Sequence, residues 1–238
     1  LSLASGVWLE NTVVRQGPLE MVAGGWQRGV GIALRADYLG VIFIVLANAL
    51  LLVALLYERL SGVRERKFPA LIAFLAAGMT GLFLTADAFN FYVFFEISMT
   101  AAFVLSSYGQ QPREVRDTFT FVVTNLLGST LFLSGVVGLY RLTGTLDMRG
   151  IAVWVNTAEP TAVILVSSLI FVAFSIKLGL FPFHFWLPSV YQGVQPVVAA
   201  VLSGVLANIG SYGLLRFGIG ILRRELIFAA PILFLIGA

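Results

Sequence analysis

Six apolar runs, each of about 18 residues or more, constrain this chain more than any other feature of its sequence. They lie near residues 39–57, 69–86, 89–108, 119–140, 161–181 and 196–217, and shorter apolar segments occupy residues 1–9 and 226–238. A helix of this length crosses the roughly 30 Å hydrocarbon core of a bilayer, whereas a membrane strand needs only about 10 alternating residues. The runs are continuous, so they predict six transmembrane helices.

The composition leads to the same class of protein. Hydrophobic residues make up 59% of the chain and charged residues 11%, and the mean hydropathy is +0.95. These values lie outside the range of soluble domains. We therefore expect an all-α, polytopic transmembrane helix bundle that forms one membrane domain over residues 1–238. The two terminal apolar segments are too short to cross a bilayer, so we expect the chain to be a fragment of a longer subunit.

The distribution of basic residues predicts an orientation. Arg59 and the cluster Arg64–Lys67 lie between the first two apolar runs, and loops rich in Lys and Arg stay on the cytoplasmic side. Alternation then places residues 110–117 in the cytoplasm and residues 141–160 outside. Arg223 and Arg224 fit this pattern less well, because they fall outside. The prediction is a multi-pass protein of a bacterial or archaeal inner membrane.

Several functional classes are excluded or disfavoured by the residues present. The chain has no cysteine and one histidine, which excludes disulfides, Cys-ligated iron–sulfur clusters and bis-His haem. It contains no P-loop, dinucleotide fingerprint or HExxH motif. The basic residues are scattered through loops, so the net charge of +3 does not indicate a nucleic-acid partner. We expect no cofactor, no metal site, and no redox or hydrolytic chemistry in this chain.

Two isolated charges within the apolar runs are the candidate functional residues. Lys177 is the only formally charged residue between Glu159 and Arg216, and Glu96 stands alone between residues 88 and 109. Ionisable residues at membrane depth are functional hypotheses by default. Glu96 lies roughly 11 Å along its predicted helix, too deep for its short side chain to reach water. Lys177 has two interpretations, because a long lysine stem near a helix end can also reach the interface.

The segment that follows Lys177 predicts a discontinuous helix. Pro182 and Pro188 interrupt helical hydrogen bonding within the aromatic stretch 181–188. Non-helical backbone at this depth persists only where protein or water satisfies it, and broken helices beside a charge are typical of transporters. His184 lies in the same stretch. It is either a proton relay or an interfacial histidine beside Trp186 in an aromatic belt.

A Glu–Lys pair at this depth can act as a proton switch. Burial disfavours the charge on each residue, whereas proximity of the two favours both charges. Separating the pair therefore changes proton affinity. Moving one charge against about 100 mV costs about 2.3 kcal/mol, which burial and pairing effects can supply.

Several motifs carry a family resemblance. The segment 86–96 (ADAFNFYVFFE), which ends in Glu96, resembles the signature around the essential glutamate of antiporter-like membrane subunits, in particular the D subunit of Mrp-type Na⁺/H⁺ antiporters. The related M and N chains of NADH-quinone oxidoreductase (complex I) belong to the same group. Further segments resemble the same subunits, namely residues 24–26, 31–37, 144–148, 175–188 and 203–216.

The resemblance implies an intact subunit of about 14 helices with two inverted five-helix repeats, each forming a half-channel, of which this chain holds one. It assigns Glu96 to the helix-five glutamate and Lys177 to the lysine of discontinuous helix seven. Asn208 occupies the helix-eight position that is usually Lys or His. An amide cannot bind and release a proton near pH 7, so this residue departs from the family pattern.

The expected function is a proton-translocating, antiporter-type subunit of a multisubunit membrane complex, with other membrane subunits as partners and protons and Na⁺ as transported ions. Two alternatives stay open. One is a proton-pumping subunit of complex I, of a similar NADH-quinone oxidoreductase-like translocase, or of a membrane-bound hydrogenase. The other, which Asn208 favours, is a non-conducting membrane scaffold subunit.

Overall fold

The computed structural model describes residues 2–26, 31–61, 67–107 and 112–237. Within these residues the chain is built from α-helices, with a short β-hairpin at one edge of the bundle. The α-helices are α1 Ser2–Gln16, α2 Tyr38–Leu60, α3 Phe68–Leu84, α4 Ala88–Ser106, α5 Pro112–Thr143, α6 Met148–Trp154, α7 Pro160–Leu178, α8 Trp186–Gly193, α9 Pro196–Val201, α10 Asn208–Gly213 and α11 Arg223–Gly237. The strands are β1 Leu19–Val22 and β2 Ala33–Ala36. There are 3-10 turns at Ala23–Gly25, Val155–Thr157 and Phe183–Phe185, and π-helical segments at Leu202–Leu206 and Leu214–Ile219.

Helices lie at all six predicted positions. Among the described residues, five helical segments are long and apolar enough to cross a membrane, with α7 and α8 forming one segment and Pro196–Ile219 another. The remaining helix, α3, is apolar but has 17 residues. The predicted polytopic helical bundle is confirmed. Residues 64–66 and 110–111, on which the predicted orientation depends, lie outside the described residues.

Acidic N-caps fix where four helices begin. Asp37, Asp87 and Asp147 each accept a backbone N–H three residues ahead, and Glu159 accepts those of Thr161 and Ala162. Such caps satisfy donors that the first helical turn leaves free. These backbone donors lower the pKa of Glu159. Burial raises the pKa of Asp87, because it outweighs the opposing backbone hydrogen bonds.

The β-hairpin was not expected in an all-α chain. β1 and β2 pair antiparallel, from Leu19 opposite Ala36 to Val22 opposite Ala33. The pairing extends beyond the hairpin, because Leu34 bridges Thr85 and Asp87 bridges Asp147. The strands have four residues each, so their stability depends on these distant partners rather than on a local pattern. We call the side of the bundle that carries these pairings the hairpin edge. The other side, where α4 and α8 end and α5 begins, is the opposite edge.

The first helix also differs from its prediction. The apolar segment ends near Leu9, yet α1 continues to Gln16 and stops at Gly17, whose φ is 83°. Glycine adopts this left-handed conformation without a Cβ penalty and commonly ends helices. The second half of α1 contains polar residues such as Asn11 and Arg15, so the apolar pattern does not reveal it. Arg15 Nε donates to Asn11 Oδ1 one turn away on the exposed face.

Aromatic side chains form the centre of the bundle. Phe91, Phe132, Phe174 and Phe217 are buried, and the Phe132 ring lies 5.4 Å from Phe91, 5.2 Å from Phe174 and 5.2 Å from Phe217 between centroids. They join α4, α5, α7 and the second π-helical segment in one core. Ring pairs at these distances add to the hydrophobic term.

Small residues let α5 and α7 approach closely. A Cβ on Gly135 would lie 2.5 Å from Ile170, and one on Gly138 would lie 2.5 Å from Val166. Only glycine fits at such a contact. The close approach brings the polar side chains of α5 within reach of those at the end of α7.

Candidate functional site

The broken helix positions the site. Helix α7 ends at Leu178, and Gly179 turns the chain with φ 64° and ψ 40°, its N–H donating to the Ile176 and Ser175 carbonyls. The chain then passes through the cis Phe181–Pro182 bond and a 3-10 turn before α8 begins at Trp186. The predicted discontinuity is confirmed, and it begins at Gly179, ahead of the two prolines. Lys177 therefore lies in the last turn before the break.

Lys177 is held inside the bundle. Its side chain is buried, with the residue 2% exposed. Nζ donates to Asn125 Oδ1 on α5 at 3.2 Å and also contacts Met99 Sδ on α4. The rings of Phe95 and Phe121 lie 5.3 and 5.9 Å from Nζ, close enough for cation–π attraction. The interpretation that Lys177 snorkels to an interface is wrong for this structure.

Glu96 lies beside this group but does not bind the lysine. It is half-buried on α4, next to Phe95 and one turn before Met99, which both contact Lys177. Within the described residues no hydrogen bond or ion pair joins Glu96 to Lys177, although the charge of Glu96 acts on the lysine. Glu96 Oε1 is buried and has no hydrogen-bond partner there. The structure thus places the two residues near each other without a direct bond between their side chains.

The other two predicted residues lie outside this contact group. His184 is exposed on the 3-10 turn and its ring stacks on Phe181, with centroids 5.7 Å apart. None of the described contacts joins it to Lys177. Asn208 is half-buried at the first residue of α10, and its Nδ2 donates to the carbonyl of Gly204 in the preceding π-helical segment at 2.8 Å. Its amide bonds within its own helix.

Sequence reasoning missed Asn125 and Met99. Asn125 is buried, its Nδ2 donates to Phe121 O at 2.9 Å, and its Oδ1 is left to accept from Lys177. The signal was available, because Asn125 is the only Asn or Gln within the apolar run 119–140. Met99 gave no signal, since a methionine in an apolar helix is ordinary packing.

A second polar group joins the hairpin edge to the end of the last long helix. Arg216 donates to Asp37 Oδ2 at 2.6 Å and to Oδ1 at 2.8 Å, and it also donates to the hydroxyl of Tyr212. That hydroxyl donates in turn to the Phe83 carbonyl at 2.8 Å. Burial alone would raise the pKa of Asp37, but the hydrogen bonds and charge of Arg216 outweigh it and hold the pKa below its ordinary value of 3.8. Arg35 adds a second cation 3.5 Å from Asp37.

No metal centre is indicated by the described part of the chain. Groups of three or more His, Cys, Asp or Glu side chains that could hold a metal ion are absent from it.

The fold and the site define a class of protein: a multi-pass helical membrane protein whose broken helix carries a buried lysine near a carboxylate of a neighbouring helix. Residues 85–238 match the family model described as the transmembrane region of NADH:quinone oxidoreductase and Mrp antiporter subunits. The chain belongs to this family.

One curated relative is the D subunit of a Na⁺/H⁺ antiporter of Alkalihalophilus pseudofirmus, which is 38% identical over 90% of this chain and 44% of its own length. Two solved complexes contain similar chains. The membrane-bound sulfane sulfur reductase, an archaeal respiratory membrane complex, matches with TM-score 0.85 and 29% identity over 91% of this chain and 45% of that chain. The Mrp complex from Dietzia sp. DQ12-45-1b matches with TM-score 0.83 and 28% identity over 91% and 41%. This chain spans less than half the length of each.

Proposed function

We propose that this chain belongs to a proton-translocating, antiporter-type subunit of a multisubunit complex in the cell membrane, of the Mrp type that exchanges Na⁺ for protons. Glu96 and Lys177 form its proton-coupled pair. The observation that carries the proposal is a fully enclosed lysine at a helix break, bound to an amide while a carboxylate with a buried free oxygen lies nearby. Charges at such depth are retained for function.

The lysine amine has two sets of partners in this scheme. In one arrangement a protonated Lys177 lies against an ionised Glu96. When Glu96 takes up a proton their attraction ends, and the side chain moves to Asn125, where it gives its proton to the onward path. The oxygen of Asn125 accepts a hydrogen bond from an ammonium or from a neutral amine, so it holds Lys177 in either state. Only one side chain has to move.

Two other functions have specific support. The similarity to an archaeal respiratory complex favours a proton pump with a redox partner as the second candidate. Asn208, which bonds to its own helix and cannot carry a proton, favours a non-conducting scaffold. The 38% identity to one chain of a Na⁺/H⁺ antiporter supports the antiporter over both.

The test is cation-induced collapse of a pH gradient in everted vesicles that contain the intact complex. Wild type is compared with Lys177→Ala at matched expression, and Lys67→Ala is the control because Lys67 is an exposed lysine at the start of α3. We expect the response to be lost in Lys177→Ala alone. Equal responses in all three would exclude this subunit as the conducting path and leave the scaffold. A pH gradient that forms on addition of an electron donor and does not respond to added cation would favour the redox-driven pump.

A further inference from the structure

A small void lies beside the buried lysine. It measures ≈ 10 Å³, and its walls include Lys177, Phe121, Trp186 and Tyr191, with the remainder supplied by the first π-helical segment and Ala207. This volume is close to the minimum that one water molecule needs. The indole N–H of Trp186 already donates to the Ile176 carbonyl at 3.0 Å. Tyr191 is therefore the side chain in this wall, besides Lys177, with a donor and acceptor to offer.

Tyr191 is available for such a role. It is half-buried on α8, and its hydroxyl makes no hydrogen bond to any described residue. One part of the side chain faces the void at Lys177 while another part remains accessible. Asn208, in contrast, is not part of the wall, because its amide is turned to Gly204. The polar continuation from Lys177 in this chain thus runs along α8 rather than toward Asn208.

The path continues to an acidic residue at the opposite edge. Asp117, Phe121 and Asn125 occupy positions i, i+4 and i+8 of α5 and share one face, with Asp117 about 12 Å along the helix from Asn125. A Cβ on Gly193 would lie 2.8 Å from Asp117 Oδ2, so the last residue of α8 packs directly on this carboxylate. The two ends of the path, Asp117 and Lys177, therefore flank Phe121 and α8.

We propose that Tyr191 relays protons between the opposite edge, where Asp117 receives them, and the Nζ atom of Lys177. The inference rests on the proposed function and adds a residue and a direction to it. In each step the Tyr191 O–H bond breaks as a new N–H bond forms on the neutral lysine amine, and the hydroxyl takes back a proton from the carboxylic acid of Asp117 through water. The carboxylate and the ammonium are the products, and no other reactant is needed.

Few other side chains near Tyr191 can carry protons. From the elements packed on α8, the described titratable or charged side chains are Asp117 and Arg116 at the start of α5, Tyr140 and Arg141 at its far end, His184 on the 3-10 turn and Lys177 on α7. Helix α9 contributes none. Arginine stays protonated throughout the working pH range, and His184 is exposed beside Phe181. The charge distribution predicts that the opposite edge is cytoplasmic, so the path would supply protons from that side.

The experiment uses the intact complex reconstituted in liposomes, with proton flux followed by a pH-sensitive dye while the pH is varied on one side at a time. Tyr191→Phe removes only the hydroxyl. Tyr57→Phe is the matched control, since Tyr57 is an exposed tyrosine at the same edge. We expect Tyr191→Phe to lower the flux by roughly a hundredfold, the lower end of what a positioned proton carrier contributes. Tyr191→His should restore flux, because an imidazole also carries a proton.

Asp117→Asn separates a relay from a packing role. We expect it to flatten the dependence of flux on the pH of the Asp117 side and to leave the dependence on the other side unchanged. Wild-type flux in Tyr191→Phe at every pH would overturn the relay while leaving the proposed function in place. A loss in Tyr191→Phe that Tyr191→His does not rescue, with an unchanged one-sided pH profile in Asp117→Asn, would also overturn it. Absence of flux in wild type would overturn both.

Discussion

Asn125 on α5 accepts a hydrogen bond of 3.2 Å from Lys177 on α7, in the position where a carboxylate partner was expected. Glu96 lies next to the same group and keeps a buried oxygen without a partner among the described residues. Helices α5 and α7 are packed tightly through Gly135 and Gly138, so the backbone around the amine is fixed. In the proposed scheme, exchange between Asn125 and Glu96 therefore requires only a movement of the lysine side chain, which is faster than a movement of helices.

Replacing Asn125 tests the amide partner. Asn125→Leu keeps the volume and removes the acceptor, which leaves a buried amine without its hydrogen bond at a cost of about 1–3 kcal/mol. We expect transport by the intact complex to fall by about tenfold. Asn156→Leu is the control, because Asn156 is exposed and donates only to the Ala152 carbonyl of its own helix. Equal transport in the two variants would show that Lys177 does not need Asn125.

Replacing Gly179 tests the helix break. In Gly179→Ala a side chain is forced into the left-handed region, which costs roughly 1–2 kcal/mol, and it also meets Leu187 at close range. Gly144→Ala carries the same backbone strain, since φ is 71° there, but its Cβ meets nothing within 4 Å. We expect the apparent Tm of the purified complex to fall further in Gly179→Ala. Equal losses would mean that the contact with Leu187 does not set the geometry of the break.

Replacing Asp37 tests the link between the hairpin edge and Arg216. Asp37→Asn leaves the Arg216 guanidinium enclosed without its anion, and breaking a pair of this kind costs on the order of 3 kcal/mol. Glu20→Gln is the comparison, because its ion pairs with Arg149 and Arg35 lie near the surface and are each worth under about 1 kcal/mol. We expect thermal stability to fall in Asp37→Asn and to change little in Glu20→Gln. The reverse order would contradict the burial argument.

The pair of Asp37 and Arg216 also makes the stability of the protein depend on pH. The pKa of Asp37 is lowered in the folded chain, so its contribution is fully present above the ordinary value of 3.8 and is lost as the pH falls through the folded value. The stability difference between wild type and Asp37→Asn should be constant from about pH 5 to 8 and shrink below about pH 4. A difference that grows on acidification would show that Asp37 is not held as an ion.

Length and hydropathy were enough to predict the helices at the six long apolar runs, because a bilayer imposes one element length on every crossing segment. The break near Lys177 could be predicted from Pro182 and Pro188, although Gly179 makes the turn. The hairpin could not, since its four-residue strands depend on Thr85 and on other distant backbone partners. For the site, isolated charge pointed to Glu96 and Lys177, and Asn125 could have been found as the only Asn or Gln in its apolar run. Tyr191 is uncharged and lies in no such pattern, so its place beside Lys177 became apparent only from the void that both line.

The central claim, that Glu96 and Lys177 act as one coupled pair, is tested most directly by a double-mutant cycle on transport by the intact complex. Glu96→Asp and Lys177→Arg keep both charges but move them, so each variant should retain measurable flux. Coupled residues give losses that do not add in free energy, whereas independent ones do. We expect the double variant to lose clearly less than the product of the two single losses. A loss equal to that product would contradict the pair and assign the two residues to separate steps.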